Sequence, residues 1–171
     1  MKLPVPEQTL FDRLKASGAL LITAESCTGG QIANRITDLS GSSQIYFGGH
    51  IVYDNEAKFE FAGVREKILS AYGAVSEEVA KDLVLGTLKQ LQKSKPLQKF
   101  YLALATTGIA GPTGGTLKKP VGLCFIAAAW GKDQNLVKKI QAPETFTRAQ
   151  NKAFFADQAI QLGIQILETY A

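Results

Sequence analysis

ALLITAESCTGGQIANRITDL, residues 19–39, joins two hydrophobic rhythms through a polar turn. The run ALLITA (19–24) is nearly unbroken apolar, as in a strand buried on both faces. Beyond the turn, Ile32, Ile36 and Leu39 recur at helical spacing before Ser40-Gly41, which predicts a helix from about Thr28 to Leu39. The turn TAESCTGG (23–30) supports three readings. Ser26 or Thr28 can cap the helix. The free amides and positive dipole end of a strand-to-helix turn can also face an anion. Finally, a side chain of the turn can be a nucleophile, although no base adjoins Cys27 to activate its thiol. Gly29 and Gly30 let a ligand or a second segment come close.

Outward from this unit, residues 7–16 set Leu10, Phe11 and Leu14 on one face of a first helix. YFGGHIVYD is a second strand, in which Gly48-Gly49 mark a bulge or a close backbone approach. NEAKFEFAG and REKILSAYG read as short helices ended by glycine. Ser76 and the acidic pair after it open a long helix reaching about Gln92. KFYLALATT is a third strand; VGLCFIAAAW and NLVKKIQA are a fourth and fifth, joined by the hairpin-length turn GKDQ. A last helix spans about 144–168, with Phe154, Phe155, Ala159, Leu162 and Ile166 inward. Helices alternate with strands early and a hairpin comes late, so residues 1–171 read as one α/β layered domain with a mixed, mainly parallel five-stranded sheet.

Composition bounds the function. With 171 residues, 46% of them hydrophobic, the chain can cover a sheet on both faces. Its apolar runs are too short for a bilayer, and MKLPVPEQTL lacks a signal-peptide core, so a cytoplasmic protein without a membrane partner is expected. Cys27 and Cys124 show no metal-ligand spacing, and the cytosol argues against a disulfide. With His50 the single histidine, a zinc site would need mostly carboxylates, so no metal is expected. The net charge of +4 comes from scattered lysines, such as Lys118-Lys119 and Lys138-Lys139. Without aromatic interleaving this is a solvated basic surface rather than a nucleic-acid site, and it suits a small anionic substrate.

Ligands of open α/β sheets gather beyond the carboxyl ends of strands. Three polar loops fall there: TAESCTGG, YDNEAK and TTGIAGPTGG. The last, with Gly108, Gly111, Gly114 and Gly115, fits neither the dinucleotide fingerprint nor the Walker pattern; it is a surface loop or a nest of amides for an anion. YDNEAK supplies Tyr53 and Lys58. A helical lysine is ordinarily solvated; to serve as a base it must lose about three pKa units, roughly 4 kcal/mol, through burial or a nearby cation. His50, inside GGHIVY, reads as packed in or on the sheet.

Together and in this order, TAESCTGG, GSSQIYFGGHIVYDNEAK, YGAVSEEVA and TTGIAGPTGGTLKKPVG resemble the C-terminal domain of the competence/damage-inducible CinA family, over nearly the whole chain. The resemblance implies a three-layer α/β/α fold, a homodimer or higher oligomer, and no cofactor. It also implies the activity of the family's stand-alone amidohydrolases, which convert nicotinamide mononucleotide to nicotinate mononucleotide and ammonia in pyridine nucleotide salvage. Carried onto matching positions, it makes Ser26 the nucleophile, Lys58 the general base and Tyr53 the residue that relays or orients the proton, with Ser43 as the other serine the pattern allows. It gives substrate contacts to Thr28, Gly29, Gly30, Thr107, Gly108, Gly111, Gly114, Gly115 and Arg148. A non-catalytic nucleotide-binding module is the alternative, because ETFTRAQNK departs from the family pattern. Phe146-Thr147 replace glycine-aspartate and Lys152 replaces a second arginine, while Asp54 stands where serine is usual and His50 where an aliphatic residue is.

Overall fold

A computed structural model describes residues 5–132 and 134–171; MKLP of the N-terminal stretch and Asp133 of the GKDQ turn lie outside the described residues. The elements are α1 (Pro6–Ser17), β1 (Leu20–Glu25), α2 (Gln31–Thr37), β2 (Tyr46–Ile51), α3 (Asn55–Ala62), α4 (Glu66–Tyr72), α5 (Glu77–Ser94), β3 (Tyr101–Gly108), β4 (Leu123–Trp130), β5 (Gln134–Gln141) and α6 (Arg148–Tyr170), with a 3₁₀ turn over Ser42–Gln44 before β2.

The strands form one sheet in the order β2-β1-β3-β4-β5. β1 pairs in parallel with β2 and β3, and β4 runs antiparallel to β3 and β5. Four strands therefore point one way and only β4 opposes them, the mixed and mainly parallel sheet expected.

Alternation along β3 sorts the layers. Leu102 and Leu104 meet the side of α1, α2 and α6, where Leu10, Leu14, Ile32, Ile36 and Phe155 are sealed from solvent. Tyr101, Ala103 and Ala105 meet the other side, filled by Val79, Leu83, Val84 and Leu88 of α5. Small side chains on that second face let α5 lie close to the sheet.

Gly48-Gly49 mark both features expected of them. The β1–β2 register slips between Leu21 and Ile22. A Cβ at Gly49 would sit 2.1 Å from Thr23 Oγ1, so the glycine clears room for the 2.9 Å Thr23–Tyr46 hydroxyl contact.

Two helix starts differ from expectation. α6 begins at Arg148 rather than near 144, because Thr147 caps it: the Thr147 hydroxyl accepts from Gln150 N–H while the Gln150 side chain accepts from Thr147 N–H. α2 begins at Gln31 rather than Thr28, and the cause lies in the site.

Candidate active site

Parallel pairing sets the carboxyl ends of β2, β1 and β3 side by side. Glu25 pairs with Ile51 and with Thr106; Ser26 N–H donates to the Thr106 carbonyl (3.1 Å) and Val52 N–H to the Glu25 carbonyl (2.9 Å). The loops that follow enclose a cavity of about 200 Å³ whose lining includes Ser26, Cys27, Tyr53, Lys58, Thr107 and Gly108. The topology thus gathers residues from all three polar loops. A larger cavity of about 670 Å³ lies at the other end of the sheet, between α5 and the start of β5, and includes Lys89, Gln92, Tyr101 and Lys132 in its lining. Among the described residues, no serine, threonine or cysteine lines it.

Lys58 is 2% exposed, and its ammonium donates to the main-chain carbonyls of Tyr53 (2.8 Å) and Asp54 (3.3 Å). It forms no ion pair among the described residues. Burial pushes its pKa below the ordinary lysine value, and the nearby Asp54 carboxylate opposes that shift only in part. Asp54 caps α3 by accepting from Glu56 N–H (2.8 Å) and so fixes the helix that carries the lysine.

The TAESCTGG turn departs from expectation. Glu25, 1% exposed, accepts the Thr28 hydroxyl (2.7 Å) and the amides of Gly30 (3.0 Å), Ile32 (3.1 Å) and Ala33 (2.8 Å). A carboxylate from the strand end therefore occupies the positive end of α2. Thr28 also shares a 2.8 Å contact with Thr106 Oγ1, and Gly29 N–H donates to the Ser26 carbonyl. These bonds take up the groups of Thr28, Gly29 and Gly30 that were expected to meet an anion, all except the Thr28 amide. The amides of Cys27 and Thr28 donate to nothing among the described residues. Glu25 is the residue that sequence reasoning missed; its signal was a carboxylate closing an apolar run just ahead of a glycine pair.

The second turn divides. Its inner part is fixed: Thr107 donates to the Ala74 carbonyl (2.6 Å), Asn151 Nδ2 to Ala110 (3.0 Å) and Arg148 to Gly111 (2.6 Å). Gly108 is required there, since a Cβ would lie 2.6 Å from the Leu123 carbonyl. Gly114 and Gly115 are exposed and line a separate shallow concavity with Pro112 and Leu117, so the structure does not bring them to Ser26 and Lys58.

The remaining candidate residues are placed as follows. Ser43 is exposed in the 3₁₀ turn leading into β2, at the opposite end of that strand from Lys58. The Tyr53 hydroxyl accepts from Arg148 (2.7 Å), while the Tyr53 main-chain carbonyl accepts from Lys58 (2.8 Å). Arg148 is thereby hydrogen-bonded within the protein on two sides. His50 is half-buried against Gln90 (2.9 Å), away from the cavity, as its strand position suggested. Cys27 and Cys124, in unlike sequence contexts, bring their sulfurs to 3.6 Å as free thiols. Among the described residues no three of His, Cys, Asp and Glu converge as a metal site would require.

A family profile described as the CinA C-terminal domain matches residues 5–167. A CinA-like protein of Chloroherpeton thalassium is 47% identical over 123 residues, 72% of this chain and 28% of that protein. One from Chlorobium phaeovibrioides is 40% identical over 159 residues, 91% of this chain and 36% of that protein. The chain thus spans about a third of the length of these curated relatives. The competence/damage inducible protein CihA of Agrobacterium tumefaciens superposes with a TM-score of 0.83 at 33% identity, covering 97% of this chain and 99% of that one. The competence damage-inducible protein A of Klebsiella pneumoniae gives 0.85 at 25% identity, covering 98% and 100%. With its sheet order, its three convergent loops and this profile match over most of its length, the chain belongs to the CinA C-terminal domain family.

Proposed function

We propose that this domain hydrolyses the carboxamide of nicotinamide mononucleotide to nicotinate mononucleotide and ammonia, with Ser26 as nucleophile and Lys58 as general base. One observation carries the reading: a lysine sealed from solvent, with no ion pair among the described residues, lines the same small cavity as a serine. Burial favours its neutral amine, the form that can accept a proton.

Neutral Lys58 takes the Ser26 hydroxyl proton as the oxygen adds to the amide carbon. The Cys27 and Thr28 amides, which have no partner within the described protein, receive the oxyanion. Lys58 then returns its proton to departing ammonia. Water, deprotonated by the same amine, releases the acid. A cavity of about 200 Å³ suits the pyridine head of the substrate, leaving the phosphate toward Arg148 and Lys152 on α6.

Purified protein incubated with nicotinamide mononucleotide should release ammonia and nicotinate mononucleotide in equal amounts, and both Ser26→Ala and Lys58→Met should lose that activity. Turnover that survives both substitutions would sink the dyad. The engagement of Arg148 with Tyr53 and Gly111 favours the alternative, nucleotide binding without hydrolysis. Calorimetric binding with no ammonia released would establish it.

A further inference from the structure

Cys27 and Cys124 stand 97 residues apart in sequence, yet their sulfurs lie 3.6 Å apart. The hydrolytic reading uses Cys27 only through its backbone amide and Cys124 not at all, which leaves two thiols in contact without a role. Their closeness is built into the sheet. Cys124 pairs with Gly108 across β3 and β4, and a Cβ at Gly108 would lie 2.8 Å from the Cys124 Cβ. The two thiols are not equivalent. Cys27 lines the cavity, within reach of a small solute. Cys124 is fully sealed, and burial pushes its thiol well above the usual range, so it stays protonated and inert alone.

We propose that Cys27 and Cys124 form a reversible oxidation site, in which a hydroperoxide closes them into an intrachain disulfide that shifts the Ser26 turn and stops turnover. The Cys27 sulfur attacks one oxygen of hydrogen peroxide. The O–O bond breaks, the thiol proton leaves with the second oxygen as water, and Cys27 becomes a sulfenic acid. The Cys124 sulfur then attacks the Cys27 sulfur. The S–O bond breaks, and the departing hydroxide takes the Cys124 proton as a second water. Two thiols are oxidised, and one peroxide is reduced to two waters.

A disulfide requires about 2.05 Å between sulfurs, so the 3.6 Å contact must close by about 1.5 Å. Cys124 is held in the middle of the sheet pairing, and Glu25 pins the turn from Gly30 onward. The movement therefore falls on Ser26 and Cys27. A 1 Å displacement of catalytic groups costs about 100-fold in rate. Disulfide formation is independent of the hydrolytic reading; only its effect on turnover rests on that reading.

The test treats the full reduced chain with hydrogen peroxide, then measures non-reducing intact mass, maps the peptides and follows ammonia release from nicotinamide mononucleotide. The intact mass should fall by two hydrogens, a Cys27–Cys124 linked peptide should appear, and the rate should drop by about 100-fold. Dithiothreitol should reverse all three. Cys124→Ala should keep the reduced-state rate and lose the two-hydrogen change. The proposal is overturned if the wild-type mass stays constant or only gains oxygen, or if the linked peptide forms with the rate unchanged. Should the reduced protein release no ammonia, the hydrolytic reading fails, and mass and peptide map still judge the disulfide.

Discussion

The turns after β1 and β3 have similar composition, glycine and hydroxyl residues behind a buried strand, yet they do different things. In the first, a buried carboxylate already stands at the start of α2, so the turn is closed around Glu25 and leaves the Cys27 and Thr28 amides without a partner among the described residues. In the second, side chains and carbonyls tie the inner part to the α4–α5 connection and to α6, and the glycine-rich outer part stays exposed. A glycine-rich loop at a strand end is therefore not by itself an anion cradle. Which amides remain unpaired decides what it can bind.

The sharpest way to break this contrast is at the first turn. Ser26→Ala should lower kcat by about 10⁴-fold or more, as loss of a nucleophile does. Lys58→Met, close in volume, should lower it by about 10²–10⁴-fold, and it should also raise Tm at neutral pH because the desolvation cost of a buried amine is removed. The pH dependence has a definite sign. Burial sets the folded pKa of Lys58 below its unfolded value near ~10.4, so the unfolded chain binds more protons between the two. Stability gained above the unfolded value is lost as pH falls through the folded one, and Lys58→Met should flatten that slope in urea titrations. The rising limb of kcat/KM against pH should likewise lie below ~10.4.

How much of this was legible varied with the range of the interaction. Strand–helix order, the glycine ends of α3 and α4 and the Ser76 cap follow from local chemistry. So does the capping box Thr147-x-x-Gln150, which starts α6 later than the apolar pattern alone suggests. It also gives ETFTRAQNK a structural role: Thr147 stands at a position that needs a capping oxygen, and Phe146 packs edge-on against Phe154. The Glu25 bonds to α2 and the Cys27–Cys124 contact were not legible. A polar side chain that turns back on its own loop, and two residues joined through sheet register, leave no periodic trace. Ser43 rests on pattern alone, and the parallel pairing of β1 with β2 sets it at the end of β2 away from Ser26 and Lys58.

Glu25→Ala tests the built-in carboxylate. Removing it leaves three amides at the start of α2 unpaired, which should lower stability by roughly 2–4 kcal/mol and lower activity through the Ser26 turn. The vacated helix end should then attract an anion. Sulfate or phosphate should raise the Tm of Glu25→Ala more than that of the wild type, and equal effects on both would break the account of the first turn. Arg148→Ala probes the tie between the turns. Loss of a charge-assisted contact should raise KM by about tenfold with little change in kcat.

The smallest effect should come from the outer part of the second turn. Gly114 has φ +88°, and the nearest atom to a Cβ there would be Ile109 Cγ2 at 3.9 Å. Alanine fits the space and meets only the left-handed backbone penalty, about 1 kcal/mol. Gly115 differs, since its Cβ would meet Val121 N at 2.7 Å and force the loop open. Gly114→Ala is therefore the clean probe: a small drop in Tm, with kcat/KM changed less than about threefold. A loss comparable to that of Arg148→Ala would mean that substrate reaches the outer loop. The distinction between a turn closed around Glu25 and a loop anchored only at its inner end would then be drawn in the wrong place.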